Sequence, residues 1–204
     1  MPKKRGRPKR DPSTSETRQK LLRTGLAYLT ERGYSSVGID EILASSGVPK
    51  GSFYHYFRNK AEFGSALIES YDAYFVDKLE RSLDRKDLKP LQQLRAFTED
   101  AQAGMARHGF RRGCLIGNLG QEMASLPEAY REKIIQVLEG WQDRVAECLE
   151  RAQSEGSLST HHDSEALAAY FWIGWEGAVL RAKLEHLPDP LKIFVDGFFA
   201  SLKA

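Results

Sequence analysis

From about residue 20 onward, apolar residues recur at three- and four-residue spacing, and no stretch of any length alternates apolar with polar as a half-buried strand does. Leu21, Leu22, Gly25, Leu26 and Leu29 form one such stripe; Ser13 and Glu16 have capping-box spacing at its start and Gly33 stands at its end. A short amphipathic segment follows (Ile39, Ile42, Leu43), with Ser36 as a candidate cap. Next come a Ser45-Ser46-Gly47 turn and a second short helix opened by Pro49 and dense in aromatics: Phe53, Tyr54, Tyr56, Phe57. Asn59 and Glu62 repeat the box spacing and predict a long helix to about Ser82. Further helices are expected at roughly 90–108, 114–123, 127–155, 164–186 and 189–202, edged by Pro90, Gly109, Gly113, Pro127, Gly156, Pro188 and Pro190. The prediction is an all-α protein of about nine helices without internal repeats.

Two short helices joined by a tight Gly-containing turn are a helix-turn-helix, whose second helix can lie in a DNA major groove. Charge agrees with that placement. Residues 1–60 hold 13 Lys/Arg against 5 Asp/Glu, whereas the remainder holds 17 against 23, so a formal net charge of +2 conceals a basic head on an acidic body. Such asymmetry points to a polyanionic partner for the first third; a merely solvated charged face is the alternative. The expected organisation is a disordered basic arm at 1–12, a helix-turn-helix DNA-binding domain at 13–60, and a ligand-sensing and dimerisation domain at 61–204. Within the arm, Arg5-Gly6-Arg7-Pro8 has the character of a flat insert for a narrow A·T-rich minor groove.

In the second short helix, Phe53 and Phe57 are four apart and are expected to pack inward. Lys50, Gly51 and Ser52 stand at its start, where free N–H groups favour a phosphate or a base edge. The run IDEILASSGVPKGSFYHYFRNK, Ile39 to Lys60, resembles the DNA-binding signature of the tetracycline-repressor (TetR) family. The resemblance implies that Lys50, Gly51, Ser52, Tyr54 and His55 reach into the groove, with Ser36 also at the DNA and Tyr56 and Lys60 clamping phosphates. It further implies a connecting helix from head to body and a homodimer built on the last two helices, hence an inverted-repeat operator. For that seam the sequence offers Gly174, Gly177, Ala178 and Ala182 in the first of the pair, and Leu191, Phe194, Val195, Phe198, Phe199 and Leu202 in the second.

The body carries no catalytic signature. Gly113, Gly117 and Gly120 are not followed by the Lys-Ser/Thr of a phosphate loop, and His161 and His162 are adjacent rather than on one helical face, so neither a cofactor nor a metal is expected. Two cysteines, Cys114 and Cys148, are too few for a disulfide framework, and no stretch approaches the ~20 apolar residues that span a bilayer. A cytoplasmic protein without a membrane partner is the expectation. GFRRGCLIGNLGQEM (109–123) and WIGWEGAVLRAKLE (172–185) resemble the branch of the family containing the acrylate-utilisation and N-ethylmaleimide-reductase repressors. That resemblance implies an electrophile- or redox-responsive Cys114, a partner role for Lys183, and an effector of the acryloyl-coenzyme A or acrylate type.

Residue chemistry leaves several of these roles open. Cys114, after two arginines and at the expected start of a helix, is placed for a lowered thiol pKa; an inert core cysteine is the alternative. Arg111 and Arg112 are candidates for coenzyme phosphates or for plain solvation. Trp172 and Trp175, with Tyr170 and Phe171, either line a pocket or pack the core. Three functions follow: a dimeric repressor released by a small molecule, with a covalent thiol switch at Cys114 as its variant; an enzyme with a DNA-binding head, using Cys114 with His108 as base; and an architectural DNA-binding protein without ligand. An enzyme lacks a third orienting group, and an architectural protein leaves a body of about 140 residues without a task.

Overall fold

The computed structural model describes residues 15–203. Among these, the chain forms nine α-helices and a short 3-10 turn, with no strand: α1 (Glu16–Arg32), α2 (Ile39–Ser46), α3 (Lys50–Tyr56), α4 (Lys60–Leu83), α5 (Pro90–Ala106), α6 (Leu115–Gln121), α7 (Ala129–Ser154), α8 (Ser164–Glu185) and α9 (Asp189–Ser201), the turn at Met123–Ser125 lying between α6 and α7. The arm, including Arg5 and Arg7, and the Ser13 cap fall outside the described residues.

Local chemistry explains the boundaries. Asn59 accepts the backbone N–H of Glu62 at 2.8 Å and so starts α4 where the box spacing predicted. Asp163 does the same for Ala166 at the head of α8. Ser36 does not cap α2; its hydroxyl donates back to the Arg32 carbonyl, and Gly38 precedes the helix instead. Gly47 ends α2 with φ +62, a left-handed turn that side chains disfavour, and this bend brings α3 across α2.

Helices α1, α2 and α3 close around Leu21, Leu22, Ile42, Leu43, Phe53 and Phe57, all buried, and α4 adds Phe63 to an aromatic cluster with Phe53 and Phe57. The body packs α4, α5, α7 and α8 around a second aromatic core of Phe75, Phe97, Trp141 and Trp172. Helix α9 lies on α8: Phe194 sits where a Cβ at Gly174 would overlap its ring. Gly174 is therefore a close-approach site within one chain, and Ala178, Ala182, Leu191, Phe198, Phe199 and Leu202 are likewise buried inside it. What α8 and α9 leave in solvent is another set: Tyr170, Ile173, Gly177 and Leu184 on α8, and Ile193 on α9.

Candidate functional site

The exposed face of α3 carries polar chemistry on a rigid support. Phe53 anchors it from below, fully buried, while Lys50, Gly51, Tyr54 and His55 are exposed and Ser52 and Tyr56 half-buried. Nothing lies within 4 Å of a Cβ built on Gly51, so only a partner approaching from outside would demand a glycine there. Lys50 pairs with Asp40 of α2 at 2.9 Å in the open, which raises its pKa through that hydrogen bond and charge. Tyr56 and Lys60 are engaged internally. The Tyr56 hydroxyl meets that of Ser15 at 2.6 Å; the Lys60 ammonium donates to the Tyr34 carbonyl at 2.7 Å and stands 4.2 Å from the Tyr34 ring. Partial burial lowers the Lys60 pKa accordingly. Ser36 is exposed, near the start of α2.

Behind this head lies a cavity of about 320 Å³, walled by α1, α4, α5, α8 and the loop that leads into α6. Cys114 faces it from the residue preceding α6. Glu176 of α8 and Tyr71 of α4 line the cavity beside it. Glu176 lies so close to α6 that a Cβ at Gly117 would overlap its carboxyl and stand 3.8 Å from the Cys114 Cβ. Enclosed by protein, Glu176 keeps only a partly accessible edge along the cavity, and burial pushes its pKa up to about 7. Four cations line the same space: Arg23, Lys78, Arg107 and Arg112, with His108 beside them. Lys78 is 7% exposed and pairs with Asp100 at 2.9 Å; Arg112 is 3.6 Å from Glu31; among the described residues Arg23 and Arg107 make no ion pair. A pocket that mixes an apolar wall (Leu26, Phe75, Trp175, Val179) with cations suits a small anion bearing an apolar or unsaturated end.

Of the six sensing candidates, three line this cavity: Cys114, Arg112 and Trp175. Trp172 is buried between Phe97 and Trp141, its indole N–H without a partner among the described residues, and Arg111 is exposed away from the lining. Lys183 points to Asn118 Oδ1 at 3.4 Å and lines the outer side of Gly113, not the cavity. The expected lowering of the Cys114 pKa is reversed. Burial raises it well above the usual thiol value and the Glu176 carboxylate adds to that, while Arg112 is held by Glu31. Glu176, Tyr71 and Lys78 were missed. Glu176 did leave a signal, as the sole charged residue between Ala166 and Leu180 in an otherwise apolar helix.

Cavity and head are joined at α6. The Gly113 N–H donates to the Thr30 carbonyl at 3.0 Å, and the Asn118 amide donates to both the Leu29 and Thr30 carbonyls at 3.0 Å, so the end of α1 is capped by the body. One turn further, the Glu122 carboxylate accepts the Tyr34 N–H at 2.8 Å and the Ser35 N–H at 2.7 Å, in the bend between α1 and α2. Burial favours the neutral Glu122, yet these bonds and nearby Lys60 outweigh it and hold the carboxyl below its usual pKa. The short helix that carries Cys114 at its head thus grips the DNA-binding module at its foot.

A helix-turn-helix presented on a helical body with a ligand-sized cavity defines a DNA-binding transcriptional regulator. Comparison with known proteins agrees. The model for "Bacterial regulatory proteins, tetR family" matches residues 21–67, and that for "Tetracyclin repressor-like, C-terminal domain" matches 90–198. The transcriptional regulator AcuR of Cereibacter sphaeroides is 60% identical over 195 residues, 96% of this chain and 89% of that protein. The repressor NemR of Escherichia coli K12 is 30% identical over 177 residues, 87% of this chain and 89% of that one. Among solved structures, a regulatory protein TetR from Rhodobacter sphaeroides superposes with a TM-score of 0.89 at 61% identity, covering 90% of this chain and 97% of that one. Reduced NemR gives 0.83 at 30% identity, covering 90% and 95%. The chain belongs to the TetR family, and its resemblance to the acrylate-utilisation and N-ethylmaleimide-reductase branch is borne out. Members of this family bind DNA operators and effector ligands and dimerise. Among the described residues no helix is long and apolar enough to cross a membrane, and no group of three or more His, Cys, Asp or Glu is placed to hold a metal.

Proposed function

We propose that this protein is a cytoplasmic homodimeric repressor that an acrylate-type effector releases from an inverted-repeat operator by occupying the Cys114 cavity. The observation that carries the reading is the cavity itself: a cation-lined space of about 320 Å³, one of whose walls is the loop that leads into the helix gripping the DNA-binding head. Its volume lies near the lower end of the range of about 300–1,000 Å³ for enclosed ligands, enough for acrylate or the acyl end of its thioester. Residues 13–60 act as the DNA-binding domain behind the basic arm of 1–12, and 61–204 as the sensing and dimerisation domain. Lys50, Gly51, Ser52, Tyr54 and His55 read the major groove, Ser36, Tyr56 and Lys60 hold phosphates, and Arg5 and Arg7 enter an adjacent A·T-rich minor groove. Tyr56 and Lys60 can hold phosphates while keeping Ser15 and Tyr34, since a hydroxyl both donates and accepts and an ammonium has three N–H donors. The exposed apolar stripe on α8, with Ile193 of α9, supplies the dimer seam. An effector that converts nearly all bound protein to the released form must favour that form about 10⁴-fold.

A covalent reading is favoured by one specific arrangement, Cys114 and the Glu176 carboxyl brought side by side on the cavity wall at Gly117. Mobility shift on the protein's own upstream DNA, with acrylate, acryloyl-coenzyme A or N-ethylmaleimide titrated in, tests both. Release by the acrylate compounds that survives Cys114→Ser supports reversible recognition. Release that disappears in Cys114→Ser makes the thiol the switch. DNA binding indifferent to all three refutes the effector assignment.

A further inference from the structure

The residue placed to govern Cys114 chemistry is on α8 and is not the lysine that resemblance suggests. We propose that Glu176 is the proton acceptor for Cys114, so that the cavity adds its thiol to the double bond of an α,β-unsaturated carbonyl ligand. This deepens the covalent form of the proposed function and rests on it. Three observations carry it. The Glu176 carboxyl and Cys114 line the same cavity and converge on Gly117, where an added Cβ would overlap the carboxyl and lie 3.8 Å from Cys114 Cβ, whereas the Lys183 ammonium is turned to Asn118 and its side chain is absent from the cavity lining. The carboxyl is fixed by close packing on Gly117, which excludes a side chain there. Burial leaves the thiol protonated, so attack needs a base within reach, and Glu176 is the one carboxylate lining the cavity.

The step balances without an outside oxidant. The Cys114 S–H proton passes to the Glu176 carboxylate as Sγ bonds to the ligand's β-carbon, and the π electrons move toward the carbonyl oxygen. The resulting enolate takes a proton at its α-carbon from the Glu176 carboxylic acid, which restores the carboxylate. Sulfur and hydrogen have then added across the double bond. The cations lining the cavity, Lys78 and Arg23 among them, face the developing negative charge on oxygen.

The test is the rate of Cys114 alkylation by N-ethylmaleimide in the full-length protein, read by peptide mass between pH 5.5 and 9. In the native protein the rate is expected to rise and level off with a midpoint near 7, as Glu176 ionises. The other titratable or charged groups on this space are Tyr71, Tyr74 and Lys78 of α4, Arg23 of α1, and Arg107, His108 and Arg112 at the end of α5 and beyond. Of these only His108 has an ordinary pKa close to 7; burial and the charges of Arg112 and Arg107 lower it, and His108→Gln should keep the break. Glu176→Gln should slow alkylation at pH 8 by about a hundredfold, the lower end of the range for loss of a general base, and Glu176→Asp should fall between. The opposite sign overturns the proposal: if Glu176 acts only as a repelling charge, its removal frees thiolate and Glu176→Gln reacts as fast or faster. A native rate that climbs without a break to pH 9 also overturns it, and needs no variant to fold. Should Cys114 fail to react at every pH, the covalent reading falls with it; reaction without a break leaves that reading standing.

Discussion

The face of α3 and the Cys114 cavity use polar groups in opposite ways. On α3 the candidate side chains stand in water: Tyr54 is 49% exposed, and Lys50 pairs with a still more exposed Asp40. In the cavity the polar groups are inside the fold: burial raises the pKa of both Cys114 and Glu176, and Lys78 is paired with Asp100. An exposed group binds a partner with its ordinary chemistry, and its loss costs affinity but little stability. An enclosed group costs desolvation whenever it is charged, so its state depends on what fills the space beside it. That sensitivity suits a sensor, and the open face suits a reader.

Expected effects run from large to small. Glu122→Ala should be felt most, since it leaves the Tyr34 and Ser35 N–H groups without their acceptor. Thermal or denaturant unfolding should show a loss of about 1–3 kcal/mol, and effector response should weaken with it. Tyr54→Ala, by contrast, should lower operator affinity roughly tenfold in fluorescence anisotropy while leaving the melting temperature unchanged, since its proposed role is in the groove and its side chain is half exposed. Lys60→Ala should weaken binding to all sequences alike and reduce the salt slope by about one unit; a change only in which sequence is preferred would remove it from the phosphate contacts.

pH separates the regions by sign. Glu122 is held below its usual pKa, so the stability it contributes is present at neutral pH and lost as pH falls through its lowered value. Glu176 is raised to about 7, so its contribution is present below the ordinary carboxylate range and lost as pH rises from there through about 7. Glu176→Gln should therefore gain in melting temperature relative to the native protein between pH 5 and pH 8. Glu122→Gln should narrow its deficit as pH falls. The smallest effect is expected of Cys148→Ser. That thiol is fully buried, donates to the Pro90 carbonyl at 3.2 Å, and is raised to about 11 by burial, so N-ethylmaleimide sensitivity should not change.

The same contrast explains how far the sequence could be read. Helices were legible because capping and breaking are local: Asn59 with Glu62, Gly47, and Pro90 act within one turn of where they stand. The α3 face was legible for a similar reason, since Phe53 and Phe57 mark the inward side and leave the polar residues outward. The cavity is made by convergence of α1, α4, α5, α8 and the approach to α6, and no local rule says that Glu176 arrives beside Cys114 from 62 positions away. Spacing misled for Gly174, Ala178 and Ala182, whose small size serves α9 and the chain's own core; a buried helix shows small residues on every side, and sequence does not say which neighbour uses them. The short link through Asn118 and Glu122 was invisible as well, because polar residues on a seven-residue helix look like any solvated turn.

Under the proposed function, effector and operator communicate through α6. Linkage allows a direct measurement: the factor by which effector weakens operator binding must equal the factor by which operator weakens effector binding. Both can be obtained by anisotropy and calorimetry with acryloyl-coenzyme A, in the native protein and in Asn118→Ala, which removes the amide bonds to Leu29 and Thr30. The expected result is a reciprocal factor of at least about ten in the native protein that shrinks several-fold in Asn118→Ala, while effector affinity in the absence of DNA is little changed. An unaltered factor in that variant would contradict the claim and place the coupling elsewhere.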